Sequence, residues 1–147
     1  MSSWSAGILS DPDMLQSLLQ GLPEAFILTD LEGVVRLWNA AAERLFGFSQ
    51  AEAVAAPLDD LIVPERFRPA HDAGFARAVA TGELRVAGRV LRTRAAHKDG
   101  RKVYVDFTFA LLKDPAGGVA AVYAVGRDAT EAHLQAQAKA AGSGAAG

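Results

Sequence analysis

Three histidines, seventeen acidic side chains and no cysteine define the chemistry open to this chain of 147 residues. Without a thiol there is no disulfide, no Cys-ligated zinc, no iron–sulfur cluster and no thiolate nucleophile. A metal would be held by imidazole, by carboxylate or inside a prosthetic group. His71 is the most informative of the histidines, because it falls in a helical stripe with Phe75 and Val79, spaced every four residues. A neutral imidazole on an apolar face is either a metal-ligand donor or a core histidine bonded to backbone. His97 and His133 fall in a turn and near a terminal helix, where solvated side chains are expected, and the three histidines together show no metal-ligand spacing. Asp59-Asp60 reads as the capped or solvated end of a short helix. The tail Gly142-Ser143-Gly144-Ala145-Ala146-Gly147 matches G-x-G-x-x-G, yet it follows no strand and opens no helix, so it aims no amides at a pyrophosphate. No serine, histidine and acid form a visible relay. The site inventory therefore predicts a protein that is not an enzyme.

The elements that must position His71 belong to one domain of ordinary size. Half of the residues are apolar, which is enough for a core, and the net charge is −2, which provides no basic face for nucleic acid. Apolar runs such as residues 118–125 are too short to span a bilayer. Residues 1–4 carry no basic stretch leading into an apolar one, so a cytoplasmic location is expected.

Asp11 and Pro12 open a helix with Met14, Leu15, Leu18, Leu19 and Leu22 at helical spacing, and Pro23 ends it. Residues 25–29 form a strand, Asp30 to Gly33 a turn, and 34–38 the returning strand. Asn39 caps a helix that Gly47 stops, and Ser49-Gln50-Ala51-Glu52 has the form of a capping box. Residues 64–80 are helical, with the regular part starting near Arg68 because Pro69 is tolerated only in a first turn. The rest is mostly strand. Residues 85–96 lead to a turn at His97-Lys98-Asp99-Gly100. Val103, Val105, Phe107, Phe109 and Leu111 then alternate with more polar neighbours, residues 114–118 turn, and 119–125 form the last strand. Asp128 to Glu131 resembles a helix cap, with a good helix former to Ala140. This order predicts an α+β fold: a five-stranded antiparallel sheet, short helices on one face, and a flanking helix at each end. The divisions expected are a flexible N-terminus (1–10), a flanking helix (11–23), the core (24–128), an exit helix (129–140) and a disordered tail (141–147).

Four segments in this order resemble the PAS family. They are Phe26 to Gly33 with Trp38 to Phe48, the Lys98-Asp99-Gly100 turn, and Gly126-Arg127-Asp128-Ala129-Thr130. The resemblance covers residues 15–135. It implies a sensory or dimerisation module that regulates a kinase, cyclase, diesterase or transcription factor. Such a module acts either on a partner in trans or through an output domain that is not present. It also implies that His71 holds the proximal-ligand position of haem-binding PAS oxygen sensors, with Phe75 and Val79 against the porphyrin. The strand expected from Arg85 supplies the distal side. There the oxygen-binding arginine of those sensors falls at Leu91, with Arg89 two residues earlier. Haem is the leading cofactor expected, an unknown small ligand or none the alternative. Covalent flavin photochemistry is excluded, because it needs a cysteine. The apolar face of the first helix points to a homodimer formed through the flanking helices.

Overall fold

The computed structural model describes residues 10–146, so part of the segment read as a flexible N-terminus lies outside it, as does Gly147. Helix α1 (Pro12–Gln20) begins at Asp11, whose carboxylate accepts the Asp13 and Met14 amides. The hairpin of β1 (Ala25–Thr29) and β2 (Val35–Trp38) turns at Gly33 (φ +82°), while Asp30 Oδ1 accepts the amides of Glu32 and Val34. Three short helices follow, α2 (Ala40–Phe46), α3 (Gln50–Ala53) and α4 (Leu58–Ile62), and a 3₁₀ turn (Glu65–Phe67) leads into α5 (Arg68–Thr81). The capping box at Ser49 and Glu52 forms in both directions. Strands β3 (Leu91–Ala96), β4 (Lys102–Lys113) and β5 (Val119–Asp128) complete the sheet, and α6 (Thr130–Ala146) leaves it.

The sheet is antiparallel throughout, in the order β2-β1-β5-β4-β3. The first and last strands in sequence are therefore central neighbours, and β1 reads its register from β5 (Ile27 opposite Ala124). Trp38, Phe46, Ile27, Val35 and Val105 are fully buried in the core. Period-two burial along β4 (Val103, Val105 and Phe107 inward) is the physical form of the alternation in its sequence. Trp38 spends its single donor on the Phe48 carbonyl at 3.0 Å.

Asn39 joins the layers. It is 2% exposed. Its Oδ1 accepts the amides of Phe26 (2.9 Å) and Ala42 (3.0 Å), while Nδ2 donates to the carbonyls of Leu19 (2.9 Å) and Glu24 (3.0 Å). One side chain thus caps α2, ends the β1 ladder and fixes the close of α1. Every capacity of the amide in use is the condition under which a buried polar group stabilises rather than costs.

Three expectations are corrected by this architecture. The third strand starts at Leu91, not Arg85, because 84–90 is a turn segment with Gly88 at φ +76° and the pairing to β4 begins only at Leu91 opposite Phe107. His97 is not solvated: its side chain is 12% exposed and packs where a Gly47 side chain would stand. Arg127 pairs with Glu24 at 3.3 Å, and the Asp128 carboxylate caps α6 through the Thr130 amide, as its sequence suggested. Finally, α6 runs through residues 141–146, which composition suggested were disordered. Alanines are the best helix formers and offset the cost of Gly142 and Gly144, about 1 kcal/mol each.

Candidate functional site

Helix α5 covers the sheet but buries only Ala78 fully, because a cavity of about 380 Å³ separates the two. That size falls within the range of small-molecule and cofactor sites. β1, β4 and β5 supply Ile27, Phe109 and Val122 to its floor, α5 supplies His71 and Phe75, and Leu84 and Val86 of the turn segment close its side. The lining is thus mainly apolar, with a few polar groups. Thr29 is one of them: it is 3% exposed and its hydroxyl has no hydrogen-bond partner. A buried unpaired hydroxyl costs free energy that a ligand's polar atom can recover. Arg77 and Arg85 also line the cavity and could face an anionic group.

The imidazole of His71 is held from behind. Its ring lies 6.5 Å from that of Phe75, and its Nδ1 lies 3.0 Å from Asp59 Oδ1 and 3.5 Å from Asp72 Oδ1. Nδ1 is shielded from water, and its contact with Asp59 has the distance of an ion pair without the alignment of a hydrogen bond. Burial, and a hydrogen bond with Asp72, push the Asp59 carboxyl above its ordinary range, with the nearby imidazole opposing. The same hydrogen bond from Asp59 pulls Asp72 down. A proton on Nδ1, drawn toward Asp59, leaves the lone pair of the imidazole on Nε2.

A five-stranded sheet in this order with a ligand-sized void under its long helix narrows the family sharply. The family model for the PAS fold matches residues 19–134. The chain belongs to the PAS family. Among curated relatives of this PAS domain, the sensor protein FixL of Bradyrhizobium diazoefficiens is 31% identical over 125 residues, 85% of this chain and 24% of FixL. The oxygen sensor protein DosP of Escherichia coli is 30% identical over 121 residues, 82% of this chain and 15% of DosP. The chain therefore spans a quarter or less of these sensors. A solved PAS domain from Colwellia psychrerythraea superposes with a TM-score of 0.68 at 22% identity, covering 81% of this chain and 97% of that one, which speaks for the fold.

Within the PAS domain the structure brings together only part of the expected site. His71 and Phe75 line the cavity. Val79 does not; it lines a second groove together with His71, Phe75, Asp59 and Asp72. Arg89 is exposed in the turn segment, and Leu91 is the first residue of β3, half-buried opposite Phe107; neither lines the cavity. Arg89 is not on the strand expected to carry both residues, because β3 begins only at Leu91. The arginines that reach the lining are Arg77 and Arg85. Asp59, read as a helix cap, is instead the partner of His71. Thr29 carried a weak signal, as a polar residue at an inward position of β1.

Proposed function

We propose that this PAS domain is a non-catalytic sensory module that holds haem through His71 Nε2 and relays its ligand state to α6. The observation that carries the reading is an imidazole on the wall of a 380 Å³ apolar cavity with its Nδ1 beside a carboxylate. A carboxylate at the far nitrogen is the usual companion of a metal-ligating histidine, because it fixes the tautomer and raises basicity. The donor set therefore fits haem: His71 as axial ligand, Phe75 and Val86 as apolar contacts, Arg77 and Arg85 as candidates for the propionates. Bound haem supplies an iron centre able to take a diatomic gas. The name of DosP, an oxygen sensor, supports a gas as the signal.

The route out of the cavity is short. β5 contributes Val122 to the floor and ends at Asp128, whose carboxylate caps α6. The Ala129 amide donates to Tyr104 O at 2.7 Å, the Tyr104 amide to Thr130 Oγ1 at 3.0 Å, and His133 stacks on Tyr104 with centroids 3.8 Å apart. A ligand that favours one position of the β4–β5 pair would therefore bias α6, provided its affinity for the two states differs. Titrating the purified protein with hemin tests the reading: saturation at one haem per chain with a strong Soret band is expected, and a protein that takes up no hemin overturns it.

Exposure of Met14 (45%) and Leu18 (59%) on α1 supports a second element of the reading, a homodimer through the flanking helices. Leu18→Asp is expected to shift the molar mass in light scattering from dimer to monomer. A wild type that is monomeric at every concentration rejects the dimer.

A further inference from the structure

We propose that Asp59, His71 Nδ1 and Asp72 form a binding site for a divalent first-row transition ion of the zinc type, distinct from the haem position. The three donor atoms lie within 4.8 Å of one another, Asp59 on α4 and the other two on α5. Nδ1 stands 3.0 Å from one carboxylate oxygen and 3.5 Å from the other. Donors bound to one ion at about 2.0–2.2 Å are themselves roughly 3.0–3.5 Å apart in tetrahedral or octahedral geometry. Both distances from the imidazole therefore already match a shared ion. The remaining closure falls to Asp72, whose side chain is 61% exposed.

Two further observations point to a cation here. Nδ1 is cut off from water and lacks an aligned hydrogen-bond partner. Among the described residues neither Asp59 nor Asp72 has a Lys or Arg ion-pair partner, since Arg68 pairs with Asp60 at 3.5 Å. One imidazole with two carboxylates suits zinc-like ions better than calcium or magnesium, which prefer oxygen alone. Three protein donors leave at least one position for water or an exogenous ligand. The groove lined by Asp59, His71 and Asp72 gives that position access from outside the cavity.

The site uses Nδ1, whereas the proposed haem ligand is Nε2. A neutral imidazole has one lone pair, so ion and haem exclude each other at this residue. The proposal does not rest on haem uptake, and the experiment omits haem. Tag-free protein, stripped with a chelator, is titrated with Co²⁺, followed by its visible absorption, and with Zn²⁺ by calorimetry. One ion per chain is expected, with affinity reduced at least about tenfold in Asp59→Asn and again in Asp72→Asn, and abolished in His71→Ala. Circular dichroism checks that each variant is folded, and a variant that is not folded is replaced by Asp→Ser at the same position. No bound ion in the wild type overturns the site. Binding that survives both Asp→Asn changes overturns it as well, since a lone histidine would then account for the ion.

Discussion

His71→Ala is expected to yield a folded protein that no longer develops a Soret band with hemin, its affinity lowered by at least roughly a hundredfold, about 2.8 kcal/mol. The fold should survive because the imidazole is a third exposed and belongs to the cavity wall, not to the core of Trp38, Phe46 and Val105. Truncation at a site that is not tightly packed usually changes stability by less than about 1 kcal/mol. What the variant loses is the one cavity-lining imidazole and its tether to Asp59. Imidazole added to the solution should restore part of the absorption, because the space vacated by the ring remains. Asp59→Asn is the companion: it keeps the axial donor and removes the charge behind it, so uptake should persist with a shifted reduction potential. Unchanged hemin affinity in His71→Ala would mean that another group holds the haem and would end the assignment.

The largest loss of stability is expected at Gly47, where alanine should cost about 2–5 kcal/mol. Two effects combine there. Gly47 ends α2 at φ +82°, a left-handed conformation that costs a residue with a Cβ about 1–2 kcal/mol. The added Cβ would also stand 2.4 Å from His97 Cε1 and 2.7 Å from its Nε2. His97 cannot easily withdraw. Its amide donates to Arg101 O at 3.0 Å, the Lys98 amide donates to Phe46 O at 2.9 Å, and its Nδ1 accepts the Asp99 amide at 3.1 Å. Overpacking of this kind typically costs about 1–3 kcal/mol. Urea unfolding of Gly47→Ala, alone and with His97→Ala, separates the terms: the second change should recover the packing part and leave the backbone part. A single variant within about 0.5 kcal/mol of wild type would show that His97 is not fixed as described.

Local rules made most of the framework legible from the sequence. Asp11 and Ser49 cap helices, Gly33, Gly47 and Gly100 turn the chain, and β4 alternates, because each feature depends on neighbours within a few residues. The order of elements then identified the sheet. Asn39 was legible as a cap, but its bonds to Leu19 and Glu24 were not, since those partners arrive from α1 only when the chain is folded. The helical stripe correctly put His71, Phe75 and Val79 on one face, where all three line a common groove, but only His71 and Phe75 also reach the cavity. A stripe states direction but not what lies opposite.

From the residues alone came the family, most of the strands and turns, and the helix that carries His71. The surroundings of that imidazole came only with the tertiary fold. Asp59 reaches Nδ1 only because α4 packs beside α5, Arg89 and Leu91 drop out because β3 begins where β4 can pair with it, and Arg77, Arg85 and Thr29 enter because a void lies between helix and sheet. Caps, turns and alternation act over a few residues, whereas cavities and charge clusters arise where distant segments meet, and no short-range pattern encodes that meeting.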